Sequence, residues 1–126
     1  MKLTLYRGVR DYHQKKTYGT GLWFSTSKLV ALSYSDNVIT KQIESDNVKI
    51  IDCKGLSWGK INTDELARKY KDFDVIVFKN VVDMGPNARV FKHFTLEKGK
   101  SAADYFTADT VVVNNNDLIK EDYFPY

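Results

Sequence analysis

Basic side chains gather near the start of the sequence, where a small anion could bind. The group comprises Arg7, Arg10, Lys15 and Lys16. A guanidinium can donate two parallel hydrogen bonds to phosphate oxygens, so an anion as small as a pyrophosphate would suit this group. A solvated surface without a ligand fits the same residues equally well. The charges therefore indicate a possible anchor and leave both interpretations open.

The composition narrows the class of protein. Aromatic residues make up 13% of the 126 residues, which supplies flat surfaces for a planar ligand or for the core. The net charge is only +3, and the basic residues are otherwise scattered. A dedicated nucleic-acid-binding domain concentrates more charge on one face, so that class is the weaker hypothesis.

Metal and membrane chemistry are not expected. The chain has one cysteine, Cys53, and two widely separated histidines, His13 and His93. Cys53 ends the apolar run that starts at Val48, so we expect it to be a buried strand residue. No apolar run reaches the roughly 20 residues of a membrane span, and Met1 does not open a signal peptide. These features predict an intracellular, cytoplasmic protein.

The patterning predicts an α+β fold in one domain covering residues 1–126. Ser25, Thr26 and Ser27 offer N-caps for a helix through Tyr34, and an Asn62–Glu65 capping box predicts a helix through Tyr70. A polar loop with Gly19 and Gly21, which could close over a ligand, is predicted at 11–21. Short strands are predicted at 3–6, 22–24, 38–43, 48–53, 75–78, 90–96 and 111–113. The sum indicates a mainly antiparallel, split sheet with one or two short helices.

Three segments form an ordered set along the chain. They are Leu5-Tyr6-Arg7-Gly8, the run 19–27 followed by Ala31 and Tyr34, and Asp109-Thr110-Val111-Val112-Val113. The set resembles the ADP-ribosyltransferase superfamily, which covers bacterial mono-ADP-ribosylating toxins and poly(ADP-ribose) polymerases. The runs 74–83 and 116–120 are similar to runs in transferase-like domains of bacteriophage and mobile-element polypeptides.

The resemblance implies transfer of ADP-ribose from NAD, the co-substrate, to a macromolecular acceptor, either protein or nucleic acid. It implies no metal, and a phage, toxin or anti-defence effector is the kind of protein it suggests. The bond between nicotinamide and ribose would break through an oxocarbenium-like transition state. That reaction needs a phosphate anchor, a holder for the nicotinamide ring and a carboxylate near the ribose.

The resemblance assigns NAD-binding roles to four residues. Arg7 would bind the pyrophosphate or the ribose, and the Gly8 backbone would bind the carboxamide. Trp23 and Tyr34 would sandwich the nicotinamide ring. The alternatives are a solvated arginine at a strand end, a turn glycine, and ordinary core packing of the two rings.

The resemblance assigns the remaining chemistry to hydroxyls and a carboxylate. Ser25, with Thr26, would hydrogen-bond the carboxylate or the ribose, unless these residues only cap a helix. Asp109 would accept a hydrogen bond from the ribose 2′-hydroxyl, unless it is a turn residue at a strand edge. The superfamily usually has Glu there, and Asp is one methylene shorter. Asp117 is the second candidate for this carboxylate.

Two further hypotheses compete with the transferase hypothesis. The first is a catalytically inactive transferase-like module that binds a protein partner or a nucleotide, which Asp109 in place of Glu favours. The second is an NAD glycohydrolase that uses water as acceptor. Convergence of Arg7, Ser25 and Asp109 on one cleft would favour catalysis over the inactive module.

Overall fold

The computed structural model describes residues 1–9 and 21–119. Within them, the strands are β1 Lys2–Gly8, β2 Leu22–Ser25, β3 Val38–Glu44, β4 Val48–Asp52, β5 Val75–Val82 and β6 Thr107–Val113, and the helices are α1 Lys28–Leu32, α2 Thr63–Lys69 and α3 Ala102–Tyr105. Short 3-10 turns lie at Trp58–Lys60, Ala88–Lys92 and Asn116–Leu118. Most of the loop predicted at 11–21, including His13 and Gly19, lies outside the described residues.

The six strands form one mixed sheet in the order β3-β1-β2-β6-β5-β4. The β4–β5 pair is parallel, and the other described pairs are antiparallel. A parallel pair needs a crossover connection, and the segment carrying α2 supplies it between β4 and β5. The α+β class predicted from the sequence is therefore confirmed.

The central strands carry apolar side chains on both faces. Residues 75–78 of β5 are between 0% and 4% exposed, and the side chains alternate between two core clusters. Val77 packs with Phe24 and Val111 in one cluster, whereas Phe78 packs with Trp23 in the other. A strand covered on both faces reads as a continuous apolar run, which is why the sequence located this strand well.

Both predicted helix caps are present. The Ser27 hydroxyl accepts a hydrogen bond from the Val30 N–H at 3.2 Å and caps α1. Asn62 caps α2 by accepting from the Glu65 N–H at 3.2 Å, and its amide donates to the Glu65 carboxylate at 2.7 Å. The return bond of this box therefore reaches the Asn62 side chain. The first helix is shorter than predicted, since α1 ends at Leu32 and Tyr34 follows it.

The predicted strand at 90–96 is wrong. A 3-10 turn, Ala88–Lys92, begins that segment, with the Asn87 side chain accepting from the Arg89 N–H at 3.3 Å. Val90 and Phe94 pack around Phe106 in a small apolar cluster, with the Phe94 and Phe106 ring centroids 5.7 Å apart. Their apolar character therefore comes from this packing and not from a face of the sheet.

Strand β5 runs further than its apolar run predicts. A bulge separates Phe78 from Val81, and Asn80 within it has a left-handed backbone with φ of 57°. Pairing with β6 resumes beyond the bulge, where Val81 faces Ala108. Asp109 therefore lies inside β6, opposite the bulge, and not just before the strand as predicted.

Candidate functional site

Strands β1 and β2 are joined at one position. Among the described residues, only Tyr6 and Ser25 are Cα partners in this pair. Beyond them β1 continues to pair with β3 as far as Gly8, and β2 continues to pair with β6 as far as Leu22. The two strands therefore part next to Arg7.

The Arg7 side chain connects β1 to β2 at the point where the two strands separate. Its Nη1 donates a hydrogen bond to the Trp23 carbonyl oxygen at 2.8 Å, and Arg7 is only 5% exposed. The alternative of a solvated arginine at a strand end is therefore wrong. A buried guanidinium requires acceptors, and here one is a backbone carbonyl of the neighbouring strand.

Ser25 and Thr26 form the end of β2 at this place. Ser25 is 4% exposed, and its hydroxyl accepts from the Ser27 N–H at 3.0 Å. The Thr26 N–H donates to the Asp109 carbonyl at 3.0 Å, and the Thr26 hydroxyl accepts from the Asp109 N–H at 3.2 Å. Of the three candidate caps, Ser27 performs the capping, so Ser25 and Thr26 are not needed for it.

Three predicted site residues consequently lie on three adjacent strands, and we call Arg7, Ser25 and Asp109 the polar row. Ser25 pairs with Tyr6 on one side and with Thr110 on the other. Arg7 and Asp109 flank those partners, so their Cα atoms lie roughly 12 Å apart by ordinary strand spacing. Side chains alternate along a strand, so Arg7 and Asp109 project to the sheet face of Leu5 and Val111, whereas Ser25 projects to the opposite face. The three side chains therefore do not converge on one cleft.

The Asp109 carboxylate has a structural contact of its own. Its Oδ1 accepts a hydrogen bond from the Asn80 N–H at 3.0 Å and thereby holds the bulge of β5. Asp109 is half-buried, and within the described part of the chain its Oδ2 accepts no hydrogen bond. The carboxylate is therefore oriented through one oxygen while the other remains available to a ligand.

The two predicted ring residues occupy different environments. Trp23 is 8% exposed and stacks on Phe78, with ring centroids 6.0 Å apart and planes 6° from parallel. Core packing, the alternative for Trp23, is thus the observed arrangement. Tyr34 is only half-buried and lies beyond the end of α1.

Gly8 is required by a close approach of the chain. A Cβ at this position would lie 2.3 Å from the Ala31 carbonyl oxygen and 2.9 Å from the Ser35 nitrogen. Gly8 ends β1 against the last turn of α1, so steric contact and not a turn explains it.

Sequence analysis missed Asp83, a buried carboxylate at the end of β5. It is 7% exposed, its Oδ1 accepts a hydrogen bond from the Tyr34 hydroxyl, and its Oδ2 accepts from the Thr110 hydroxyl at 3.2 Å. Burial raises the pKa of Asp83, and the hydrogen bonds from Tyr34 and Thr110 lower it by less. The signal in the sequence was an acidic residue directly after a buried strand.

Other candidates lie away from the polar row. Asp117 is exposed in the 3-10 turn beyond the far end of β6, and Glu97 is exposed and pairs with Lys100 at 3.3 Å. Cys53 is buried as predicted, but it follows β4, which ends at Asp52, and is therefore not the strand residue that we expected. Burial raises the pKa of its thiol, followed by the charges of Asp52 and Asp109. Among the described residues, no group of three or more His, Cys, Asp or Glu side chains could hold a metal ion.

No protein family, curated protein or solved structure was found to match this chain. Across residues 1–9 and 21–119, none of the helices has the length and apolar character needed to cross a membrane.

Proposed function

We propose that this protein is an NAD-dependent mono-ADP-ribosyltransferase built on the split sheet of that superfamily. The observation that carries the proposal is the polar row, in which Arg7, Ser25 and Asp109 occupy adjacent strands where the β1–β2 pairing ends. The order of an arginine, a serine and a carboxylate along the chain is what the resemblance implies, and the fold adds that their strands are neighbours, with Arg7 and Asp109 on one face of the sheet.

Each member of the row has a separate task in this reaction. Arg7 binds the pyrophosphate from the sheet face that it shares with Asp109. Ser25, on the opposite face, orders the end of β2 by accepting from the Ser27 N–H. Asp109 accepts a hydrogen bond from the ribose 2′-hydroxyl through its available oxygen and stabilises the developing positive charge. The roughly 12 Å between Arg7 and Asp109 suits a ligand with phosphate at one end and ribose at the other.

The bond changes balance without a metal or an oxidant. The bond between ribose C1′ and the nicotinamide nitrogen breaks, and its electron pair leaves with neutral nicotinamide. A nucleophilic atom of the acceptor then bonds to C1′, and the proton it loses passes to the Asp109 carboxylate or to water. In this proposal the acceptor is a macromolecule, protein or nucleic acid, in the cytoplasm, and Tyr34 contacts the nicotinamide ring.

A second candidate, the catalytically inactive binding module, is favoured by one specific observation. Every member of the polar row also has a structural contact: Arg7 with the Trp23 carbonyl, Ser25 with the Ser27 N–H, and Asp109 with the Asn80 N–H. If these contacts alone account for the three residues, no bound substrate is required to explain them.

Nicotinamide release from NAD tests the proposal, with and without host-cell lysate as a source of acceptor. Asp109→Asn is the decisive variant, because an amide oxygen still accepts from the Asn80 N–H while the charge is removed. We expect a loss of at least about 100-fold in kcat. Asp117→Asn, an exposed acid beyond the far end of β6, is the matched control and should retain activity.

The outcomes separate the candidates. Release that requires lysate and is lost in Asp109→Asn and Arg7→Ala supports the transferase. Release without lysate identifies a glycohydrolase. Folded wild type that releases no nicotinamide under either condition, or Asp109→Asn with wild-type rates, overturns the proposal in favour of the inactive module.

A further inference from the structure

The Tyr34 side chain is held at three points. A Cβ at Gly85 would lie 2.6 Å from Tyr34 Cδ1 and 2.7 Å from Cγ, so the Gly85 backbone packs directly on the ring. At the other end, a Cβ at Gly8 would lie 3.1 Å from Tyr34 Cβ. The hydroxyl donates to Asp83 Oδ1. Base, ring and hydroxyl are each fixed by a different segment of the chain.

Asp83 connects this ring to the strand that carries the catalytic candidate. Its Oδ2 accepts from the Thr110 hydroxyl at 3.2 Å, and its N–H donates to the Phe106 carbonyl at 2.9 Å. Thr110 is adjacent to Asp109 and pairs with Ser25. One buried carboxylate therefore joins the tyrosine hydroxyl to Thr110, the strand partner of Ser25 and on the same face of the sheet as Ser25.

We propose that Asp83 is a positioning residue that fixes the Tyr34 ring against the polar row, ready to contact the nicotinamide ring of NAD. The inference rests on the proposed function, which it deepens by naming a residue that contributes to NAD affinity. Asp83 acts through Tyr34 and does not touch the substrate. A ring already held in place loses less side-chain freedom when the ligand binds, and affinity rises accordingly.

The backbone at the end of α1 does not depend on Asp83. Gly85 N–H donates to the Ser33 hydroxyl at 2.8 Å, and Asn87 N–H donates to the Ser33 carbonyl at 2.7 Å. The Asn87 amide also donates to the Leu32 carbonyl at 2.8 Å. These bonds fasten the segment 83–87 to the helix end, so the Asp83 carboxylate specifically orients the hydroxyl of the ring.

The burial of Asp83 supports the same role. A carboxylate that is 7% exposed is costly unless its oxygens accept hydrogen bonds, and here both do so from side-chain hydroxyls. An apolar residue would fill the site at lower cost, but it would remove the acceptor that Asp83 offers to the tyrosine hydroxyl. The cost of burying the Asp83 carboxylate is explained if NAD binding requires the Tyr34 ring in this position.

Kinetics with NAD test this role through a split between KM and kcat. Tyr34→Phe keeps the ring and removes only the hydroxyl, and Asp83→Ala removes the acceptor. In each we expect KM for NAD to rise about 10-fold with kcat within twofold, since a ring that is no longer held in place contacts ground and transition state equally less well. The double variant should be no worse than Asp83→Ala alone. Asp83→Asn, which still offers an oxygen to the hydroxyl, should restore most of the affinity, and exposed Glu44→Gln is the control.

Nuclear magnetic resonance of ring-labelled tyrosine reports on the ring without any need for turnover. The signal missing from Tyr34→Phe identifies Tyr34, and in Asp83→Ala that signal should move toward the position of exposed tyrosines. An unchanged KM in both Asp83→Ala and Tyr34→Phe, beside an active wild type, overturns the positioning role. If the wild type releases no nicotinamide, the proposed function fails instead, and an unmoved ring signal would then also overturn the fixing of Tyr34 by Asp83.

Discussion

The β2–β6 ladder and the β1–β2 junction share a strand but are built in opposite ways. In the ladder, β2 and β6 pair at four successive positions, and its core is made by Phe24, Val111 and their neighbours. At the junction one Cα pair remains, and the Arg7 side chain makes the next connection to the Trp23 carbonyl. Where backbone pairing ends inside a protein, the remaining polar groups must be bonded by side chains. Residues capable of chemistry collect at that place.

The largest expected effect on stability comes from the core packed against the β2–β6 ladder. Phe78 is fully buried and stacks on Trp23, so Phe78→Ala leaves a cavity between β5 and α2. We expect it to lower the free energy of unfolding by about 3–5 kcal/mol, measured by urea denaturation. Phe91→Ala, at a ring that is 47% exposed, is the matched control and should cost much less. Equal losses would contradict the assignment of the core.

Arg7→Ala tests the junction side. It removes a charged hydrogen bond to a buried carbonyl, so we expect a loss of about 2–3 kcal/mol in unfolding free energy. Arg7→Lys keeps the charge and most of the stem and should lose less. An Arg7→Ala variant as stable as the wild type would show that the junction does not need this side chain. It would contradict the claim that side-chain bonds replace backbone pairing there.

Ser27→Ala removes the cap of α1 and should lower the free energy of unfolding by about 1 kcal/mol. Because Ser27 takes no part in the polar row, kcat should remain at the wild-type value, whereas Ser25→Ala should reduce it. Parallel denaturation and nicotinamide-release assays make this test. Equal kinetic losses in the two variants would mean that the hydroxyls act only on the helix.

The smallest expected effect is a pH dependence that arises from Asp83. Burial raises its pKa in the folded state above the ordinary value of 3.8. Between the two values the folded state holds the proton that the unfolded state has lost, so stability falls as pH rises through that window and is constant above it. Urea midpoints of the wild type against Asp83→Asn should diverge in this direction. Two hydrogen bonds to the carboxylate keep the effect small, and a midpoint difference that grows as pH falls would contradict the sign.

The sequence predicted the elements whose reasons are local. The apolar run at 75–78 and the caps at Ser27 and Asn62 depend on neighbours within a few residues, and all are present. The alternation of 90–96 failed because Val90 and Phe94 are apolar for packing around Phe106, outside any sheet. The same local pattern thus has two physical causes, and only packing separates them.

The candidate site shows the same dependence on long-range contacts. Motif order identified Arg7, Ser25 and Asp109, but their placement on adjacent strands depends on strand order, which no local signal contains. The sequence did not indicate Asp83, because its role depends on a contact with Tyr34, which lies 49 residues away in the chain. A buried acid is recognisable only once its hydrogen-bond donors are known.

The single Cα pair between β1 and β2 also has a consequence for motion. Strands β1 and β3 pair at seven positions and form a ribbon of their own, whose backbone pairing to β2 among the described residues is the one Tyr6–Ser25 position. Leu5 and Ile43 nevertheless pack this ribbon into the core with Phe24. Because little backbone pairing resists local opening at the junction, its amide protons should exchange sooner than those of the β1–β3 and β2–β6 ladders.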